Sequence, residues 1–469
     1  MTRTYFSLCV SLALLGACEE DPSASAQTGN FEFVADMENA GEGQLKNASN
    51  GFQGYYVFQD ELIIEGVDPT TDVKSLLAID ATGAIRNLLS PISSVSGFVE
   101  FQGALHFSIN GGELSTQHYR LDGGAVELLP DVSSFQTELP QNSVTFNEAR
   151  FFVDRCTSES TGWCLLRYDG TQTTDIAAPA DLSLDPWINV AMFDSRVWLT
   201  GEIDDVRALL TYDGSTIQVH SELNSDVGNR YEQVGNELYY IQESAGAMNG
   251  LDGIHLYRVL PDELTLVPTT DGSVYSVPRQ FFSLKNKNYF FANTGAAAGS
   301  KAGIFVFSND GRSVARASED EYSNVADFLK RETGDLLGDV YYFRCAFFST
   351  AANQLSGNSL CRFDGSQGAV AFDTTQARNG DPNNDNQLYV VNSVGTWLYF
   401  VAENPHLGQK LFATDGTDLV ELPISSDETF DEYDEYNAQI IDLAGTIFVV
   451  AAHPDITGES RLYRLKSTP

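Results

Sequence analysis

The sequence predicts an all-β fold: a single β-propeller of eight or nine four-stranded blades, with the ring closed by the N-terminal strand joining the C-terminal blade. Three observations carry this expectation. Asp-Gly dipeptides that join two alternating, strand-like runs fall at Asp122, Asp169, Asp213, Asp310, Asp364 and Asp415, spaced 47, 44, 97, 54 and 51 residues apart. The gap of 97 is a double period, with a degenerate copy, HLYRVLPDELTLV (His255 to Val267), at its centre. Two further strand-like runs precede each hairpin, so each unit is a four-stranded meander of the length of one propeller blade. Finally, the ends are complementary: the last unit stops at RLYRLK (Arg461 to Lys466) without a fourth strand, and FEFVADM (Phe31 to Met37) is a spare strand ahead of the first unit.

Taken in order, the units start near Gly51, Ser96, Ser143, Ile188, Tyr231, Arg279, Ala326, Gln387 and Ala438. That makes nine, or eight if the weak first unit merges with its neighbour, since propellers usually have four to eight blades. GQKLFATDGTDLVEL (Gly408 to Leu422) is the clearest hairpin, and its Asp-Gly predicts a two-residue type I′ turn with positive φ at both residues. Composition agrees: 29 Phe and 20 Tyr suit half-buried strands, and 39 Gly suit tight turns. In such a meander the A–B and C–D turns share one face of the ring, and the longer, more polar B–C and D–A loops share the other.

LFATDGT (Leu411 to Thr417), LRYDGT (Leu166 to Thr171), LTYDGS (Leu210 to Ser215) and CRFDGS (Cys361 to Ser366) resemble the ELWxxDGT repeat of secreted and lipid-anchored bacterial proteins. The resemblance implies a propeller-like fold from about Gly51 onward. Tyrosine or phenylalanine replaces the tryptophan in most copies, and the family offers no activity that transfers residue by residue.

Three regions are expected: a lipoprotein signal peptide over 1–17, a disordered acidic tether over 18–30, and the propeller over 31–469. Arg3 is a short basic segment and Phe6 to Leu15 an apolar one, of a length for export and too short to span a bilayer. Leu15-Gly16-Ala17-Cys18 resembles the lipobox of bacterial lipoproteins, which implies acylation of Cys18 and attachment through lipid alone. Glu19 in place of Asp implies the outer membrane or cell surface rather than retention at the inner membrane. The tether reading rests on EEDPSASAQTGN (Glu19 to Asn30).

The formal charge is −38, and loss of residues 1–17, which carry Arg3 and no acid, lowers it by one more. Such a body repels nucleic acid and anionic headgroups, so nucleic-acid binding is excluded. The expected partners are a protein or a carbohydrate, and the chain is expected to be a monomer. Beyond the signal, the cysteines form two local pairs, predicting Cys156–Cys164 and Cys345–Cys361 as disulfides of an exported protein.

Candidate binding residues fall in the longer loops. Asp381, Asn383 and Asp385 have the D-x-N-x-D start of a calcium loop, but Asn386 stands where that pattern wants Gly, so a polar turn is the competing reading. Asp431, Glu432, Tyr433, Asp434, Glu435 and Tyr436 interleave acids with tyrosines as a ligand surface would. Trp163 and Trp187 lie in predicted loops and could stack on a sugar, whereas Trp198 and Trp397 sit in strands and read as core. The six histidines show no HxH, HxxxH or HExxH spacing, and neither a GxSxG elbow nor a P-loop occurs. SNDGRS (Ser308 to Ser313) falls short of a sialidase Asp-box. The sequence therefore points to a lipid-anchored, extracytoplasmic, non-catalytic binding or scaffolding module, with an exported carbohydrate-active hydrolase or lyase as the alternative.

Overall fold

Second strands such as Glu61–Asp68, whose Leu62, Ile63 and Ile64 are all buried, read as near-continuous apolar runs because each blade of the ring buries both faces against its neighbours. The computed structural model describes residues 31–38, 55–68, 71, 73–111, 114–129, 143–156, 162–178, 182–184, 190–204, 206–223, 230–243, 254–260, 263–273, 275–294, 302–318, 321–323, 334–349, 354–373, 388–404, 408–422, 439–452 and 459–465. These form nine four-stranded antiparallel blades. The count is nine because the first unit is a blade of its own (Tyr55–Phe58, Glu61–Asp68, Val73–Asp80, Ile85–Ile92), whose strand pairing with blade 9 among the described residues is a single Met37–Gly66 bridge.

Blades 2 and 3 frame the cleft described below. Blade 2 comprises Val95–Phe101, Ala104–Gly111, Leu114–Asp122 and Ala125–Leu128, and blade 3 comprises Val144–Phe146, Ala149–Arg155, Trp163–Tyr168 and Thr173–Asp175. Blade 9 takes Gln439–Leu443, Thr446–Ala452 and Glu459–Leu465 from the C-terminal end and Phe31–Glu38 from the N-terminal end. Phe31 pairs with Leu465 and Glu38 with Glu459, so the spare strand closes the ring as expected.

The core is a ring of nine apolar layers, one between each pair of consecutive blades. Leu62, Ile64, Leu443 and Phe448 pack blade 9 on blade 1, Ile63, Leu76, Leu105 and Phe107 pack blade 1 on blade 2, and Tyr399, Leu411, Val449 and Leu465 pack blade 8 on blade 9. Because the layer between blades 9 and 1 is as fully buried as the others, closure rests on packing as well as on strand pairing. Trp198 is 2% exposed and Trp397 packs on the layer between blades 8 and 9, matching their assignment to the core.

The turn chemistry differs from expectation. At Asp169, Asp213, Asp364 and Asp415 the aspartate keeps negative φ, and only the glycine after it is positive, at +98°, +99°, +96° and +92°. The closing strand pairs are Tyr168–Thr173, Tyr212–Ile217, Phe363–Gly368 and Thr414–Leu419, so the two residues at the centre of each turn are Gly-Thr, Gly-Ser, Gly-Ser and Gly-Thr. The aspartate instead caps the turn: Asp169 Oδ1 accepts from Thr171 N at 3.0 Å, Thr171 Oγ1 at 2.8 Å and Gln172 N at 3.0 Å. Short polar side chains stabilise turns in this way by accepting backbone N–H groups two or three residues on. Positive φ at both central residues occurs elsewhere, in the A–B turns at Gln59-Asp60, Gln102-Gly103, Asn147-Glu148, Asp194-Ser195, Lys285-Asn286 and Ala444-Gly445.

Both predicted disulfides form. Cys156–Cys164 and Cys345–Cys361 each tie the second strand of a blade to its third. Among the described residues no helix is long and apolar enough to cross a membrane.

Candidate functional site

A cleft of about 500 Å³ opens on the face that carries the tight turns, lined by Glu100, Phe101, Gln102, Gly103, Thr145 and Glu148. Register places these residues together. Val95–Phe101 and Val144–Phe146 are the inner strands of adjacent blades, and each leads into a two-residue turn. In both strands the residue before the last faces solvent, giving Glu100 and Thr145, while the last is the buried Phe101 or Phe146. The turns then bring in Gln102 and Glu148, both exposed.

Hydrogen bonds fix the walls. Gln102 Nε2 donates to Glu148 O at 3.1 Å and to Asp169 O at 3.4 Å, linking two A–B turns to a C–D turn. Gly170 packs so closely on this amide that a Cβ there would lie 2.8 Å from Gln102 Oε1. Arg150 lies beneath, donating from Nη1 to Glu100 O at 2.9 Å and from Nε to Ser143 Oγ at 2.9 Å, and its burial lowers its pKa. Burial, followed by the Glu100 carboxylate, pushes the pKa of the Tyr56 hydroxyl up.

The floor is aromatic. Phe101 lies 6.1 Å from the ring of His106 and 5.9 Å from that of Tyr168, and His106 Nδ1 meets the Tyr168 hydroxyl at 3.1 Å. Burial, with Arg120 and Arg150 next in effect, lowers the His106 pKa to about 4, so the imidazole is neutral at neutral pH. Burial raises the Tyr168 hydroxyl well above the usual phenol range.

Two exposed carboxylates, an amide and a hydroxyl above an aromatic floor can hold a cationic, hydrogen-bonding group. A nucleophile and base at hydrogen-bond distance occur in the same blade, where Ser108 Oγ and His118 Nδ1 are 2.9 Å apart. However, Ser108 is 0% and His118 2% exposed, so the pair has no path to a substrate. Among the described residues no group of three or more His, Cys, Asp or Glu is placed to hold a metal.

Of the sequence candidates, Trp163 begins the third strand of blade 3, packs on the layer between blades 3 and 4, and lies 5.2 Å beneath the Arg155 guanidinium, beside the Cys156–Cys164 bridge. Cys18, Trp187, Asp381, Asn383, Asp385 and Asp431 to Tyr436 lie outside the described residues. The cleft is on the other face from the loops that sequence favoured. Its carboxylates lie 48 residues apart in sequence, at Glu100 and Glu148, and only blade-to-blade register joins them.

No family model matches the chain, and no curated protein matches it. Solved structures do. A puromycin hydrolase is similar over 91% of this chain and 63% of its own, at 14% identity and a TM-score of 0.39. The β-propeller domain of the Trilobed protease from Pyrococcus furiosus, described as having an open velcro topology, matches over 85% of this chain and all of its own, at 8% identity and 0.35. A post-proline cleaving enzyme from Rickettsia typhi matches over 86% of this chain and 58% of its own, at 8% identity and 0.39. The chain thus spans less than two thirds of the puromycin hydrolase and of the Rickettsia enzyme. At these scores the likeness extends to the propeller fold alone. These matches are named for a hydrolase, a protease and a post-proline cleaving enzyme, not for the non-catalytic binding or scaffolding module or the carbohydrate-active enzyme that the sequence led us to expect.

Proposed function

We propose that the chain serves peptide processing as a peptidase-related propeller, receiving positively charged peptide segments in the cleft between blades 2 and 3. The cleft carries this reading. The Glu100 and Glu148 carboxylates accept the N–H donors of an amino terminus, lysine or arginine, and Phe101 offers the apolar floor that such a side-chain stem covers. The Gln102 amide and Thr145 hydroxyl both donate and accept, which matches a peptide main chain. The enclosed Ser108–His118 pair takes no part in this reading.

On the same reading the protein works outside the cytoplasm, with Cys18 as its acylated anchor at the outer membrane or cell surface. The Leu15-Gly16-Ala17-Cys18 pattern and two disulfides of an oxidising compartment support this address.

The test is fluorescence anisotropy with a labelled peptide carrying two lysines near a free amino terminus. Glu100→Gln with Glu148→Gln should weaken binding about tenfold, the ~1.4 kcal/mol scale of charged hydrogen bonds. A control that removes the same charge at the exposed Asp204 and Glu222 of blade 4 should bind as the parent does. Equal loss in both variants would mean only that the whole acidic body attracts cations, and would overturn the assignment to the cleft.

A further inference from the structure

The anchored end of the chain meets the ring at a defined place. Phe31–Glu38 is the outermost strand of blade 9, antiparallel to Glu459–Leu465, with Phe31 opposite Leu465. Third strands run toward the face that carries the tight turns, so Leu465 lies at that face and Phe31 beside it. Contacts across the closure agree. Arg464 Nη2 donates to the Glu32 carboxylate at 2.6 Å, and Arg464 Nη1 donates to Thr82 O, in the C–D turn of blade 1 on the same face.

In sequence, only Cys18 to Asn30 separates the acylation position from this entry point. By length alone, a coil of this many residues has a root-mean-square span of ~20 Å and a ceiling of ~45 Å. Strands of seven or eight residues put the two faces of the ring about 25 Å apart. To lay the opposite face on the membrane, those residues would first have to cover the full height of blade 9, which is more than that coil span. The tight-turn face needs no such detour.

We propose that the tight-turn face is apposed to the lipid surface, while the opposite face, where second strands pass to third strands, points away from it. This orientation rests on the lipid-anchor reading. Asp60, Glu148, Asp194 and Asp339 are exposed in the A–B turns of this face, so it stands off from headgroups and does not embed in them. The cleft between blades 2 and 3 then opens into the gap above the membrane, where a peptide enters from the side. Anionic headgroups widen that gap, and cationic peptides concentrate in it.

The experiment uses full-length acylated protein in phosphatidylcholine vesicles containing a trace of rhodamine-labelled lipid as energy-transfer acceptor. A donor dye is attached at Asp194→Cys, in the A–B turn of blade 4, or at Asp204→Cys, in its B–C turn; both sites are exposed and the native cysteines of the ring are bridged. Transfer from position 194 should exceed that from position 204 at least twofold. Equal transfer means an edge-on ring and reversed transfer an inverted one, and either overturns the proposal. Mass analysis of the N-terminal peptide separates the two failures. An unacylated Cys18 sinks the anchor and the orientation with it, whereas an acylated chain with equal transfer sinks the orientation alone.

Discussion

The Tyr239 hydroxyl in blade 5 donates to the carbonyl oxygen of Gly311 in blade 6 at 2.9 Å, stitching one blade to the tight turn of the next. The contact recurs in kind. A Cβ on Gly365 would lie 3.4 Å from the Tyr289 hydroxyl, and one on Gly416 would lie 3.0 Å from that of Tyr342. The repeat's Asp-Gly is therefore a joint between blades: Asp caps its own turn, and Gly makes room for the preceding blade. Tyr399 holds the same place in blade 8, but blade 9 has the two chain ends where a C–D turn would be, and the buried Tyr399 hydroxyl has no hydrogen-bond partner among the described residues.

Tyr239→Phe and Tyr399→Phe should therefore differ. Losing the Tyr239 bond should cost ~1 kcal/mol by urea unfolding, because the Gly311 carbonyl is left without its buried donor. Tyr399→Phe removes a hydroxyl that carries a desolvation penalty and makes no hydrogen bond among the described residues, so its stability should be unchanged or higher. Equal losses in both would show that the stitch contributes nothing.

The glycines of the turns should sort by what surrounds them. Gly395 has φ +62° and no heavy atom within 4 Å of where a Cβ would stand, so Gly395→Ala should cost only the backbone term, ~1 kcal/mol. Gly170 has φ +98° and a Cβ there meets Gln102 Oε1, so Gly170→Ala should cost more and should also weaken peptide binding by shifting a wall of the cleft. Urea unfolding and anisotropy on both variants read the two effects separately.

Each disulfide should stabilise by a similar amount, since they close separations of 8 and 16 residues. The loop-entropy relation gives about 2.6 and 3.1 kcal/mol as ceilings. Cys345 and Cys361 are also 0% exposed within the layer between blades 6 and 7, so Cys345→Ala with Cys361→Ala loses packing as well. That pair should therefore show the larger loss of urea stability, compared with Cys156→Ala and Cys164→Ala.

How much of the fold and the cleft is legible in the sequence follows from the range of the interactions. Period, ring closure and cysteine pairing are local or end-to-end patterns, and Asp169 through Asp415 display the period directly. Turn type is not legible, because Asp-Gly looks like a type I′ centre until the strand register shows Gly170-Thr171 at the middle and Asp169 outside it. The true positive-φ pairs, such as Gln59-Asp60 and Asn147-Glu148, include residues without a strong turn signature, held there by the strands on either side. The cleft is invisible in sequence because Glu100 and Glu148 belong to different repeats, and nothing local marks a residue that will face its counterpart one blade away.

Acid should weaken the ring in two separate windows. His106 has a folded pKa of about 4 against an ordinary value of 6.5, so the folded state resists a proton that the unfolded chain accepts. Its contribution is complete above pH 6.5 and is lost as pH falls toward 4, by up to ~3 kcal/mol. The turn aspartates act lower. Hydrogen bonds from the Thr216 backbone and the Ser215 side chain hold Asp213 at about 2, and those from the Asp418 and Thr417 backbones hold Asp415 below its ordinary 3.8. Their contribution is present above the unfolded value of 3.8 and is lost as pH falls through the folded values. Urea midpoints measured from pH 7.5 to 3 should therefore decline first between 6.5 and 4 and again below 4. His106→Phe should abolish the first decline and leave the second, whatever its effect on stability at neutral pH. If the upper slope survives in that variant, its source is not the buried imidazole between blades 2 and 3.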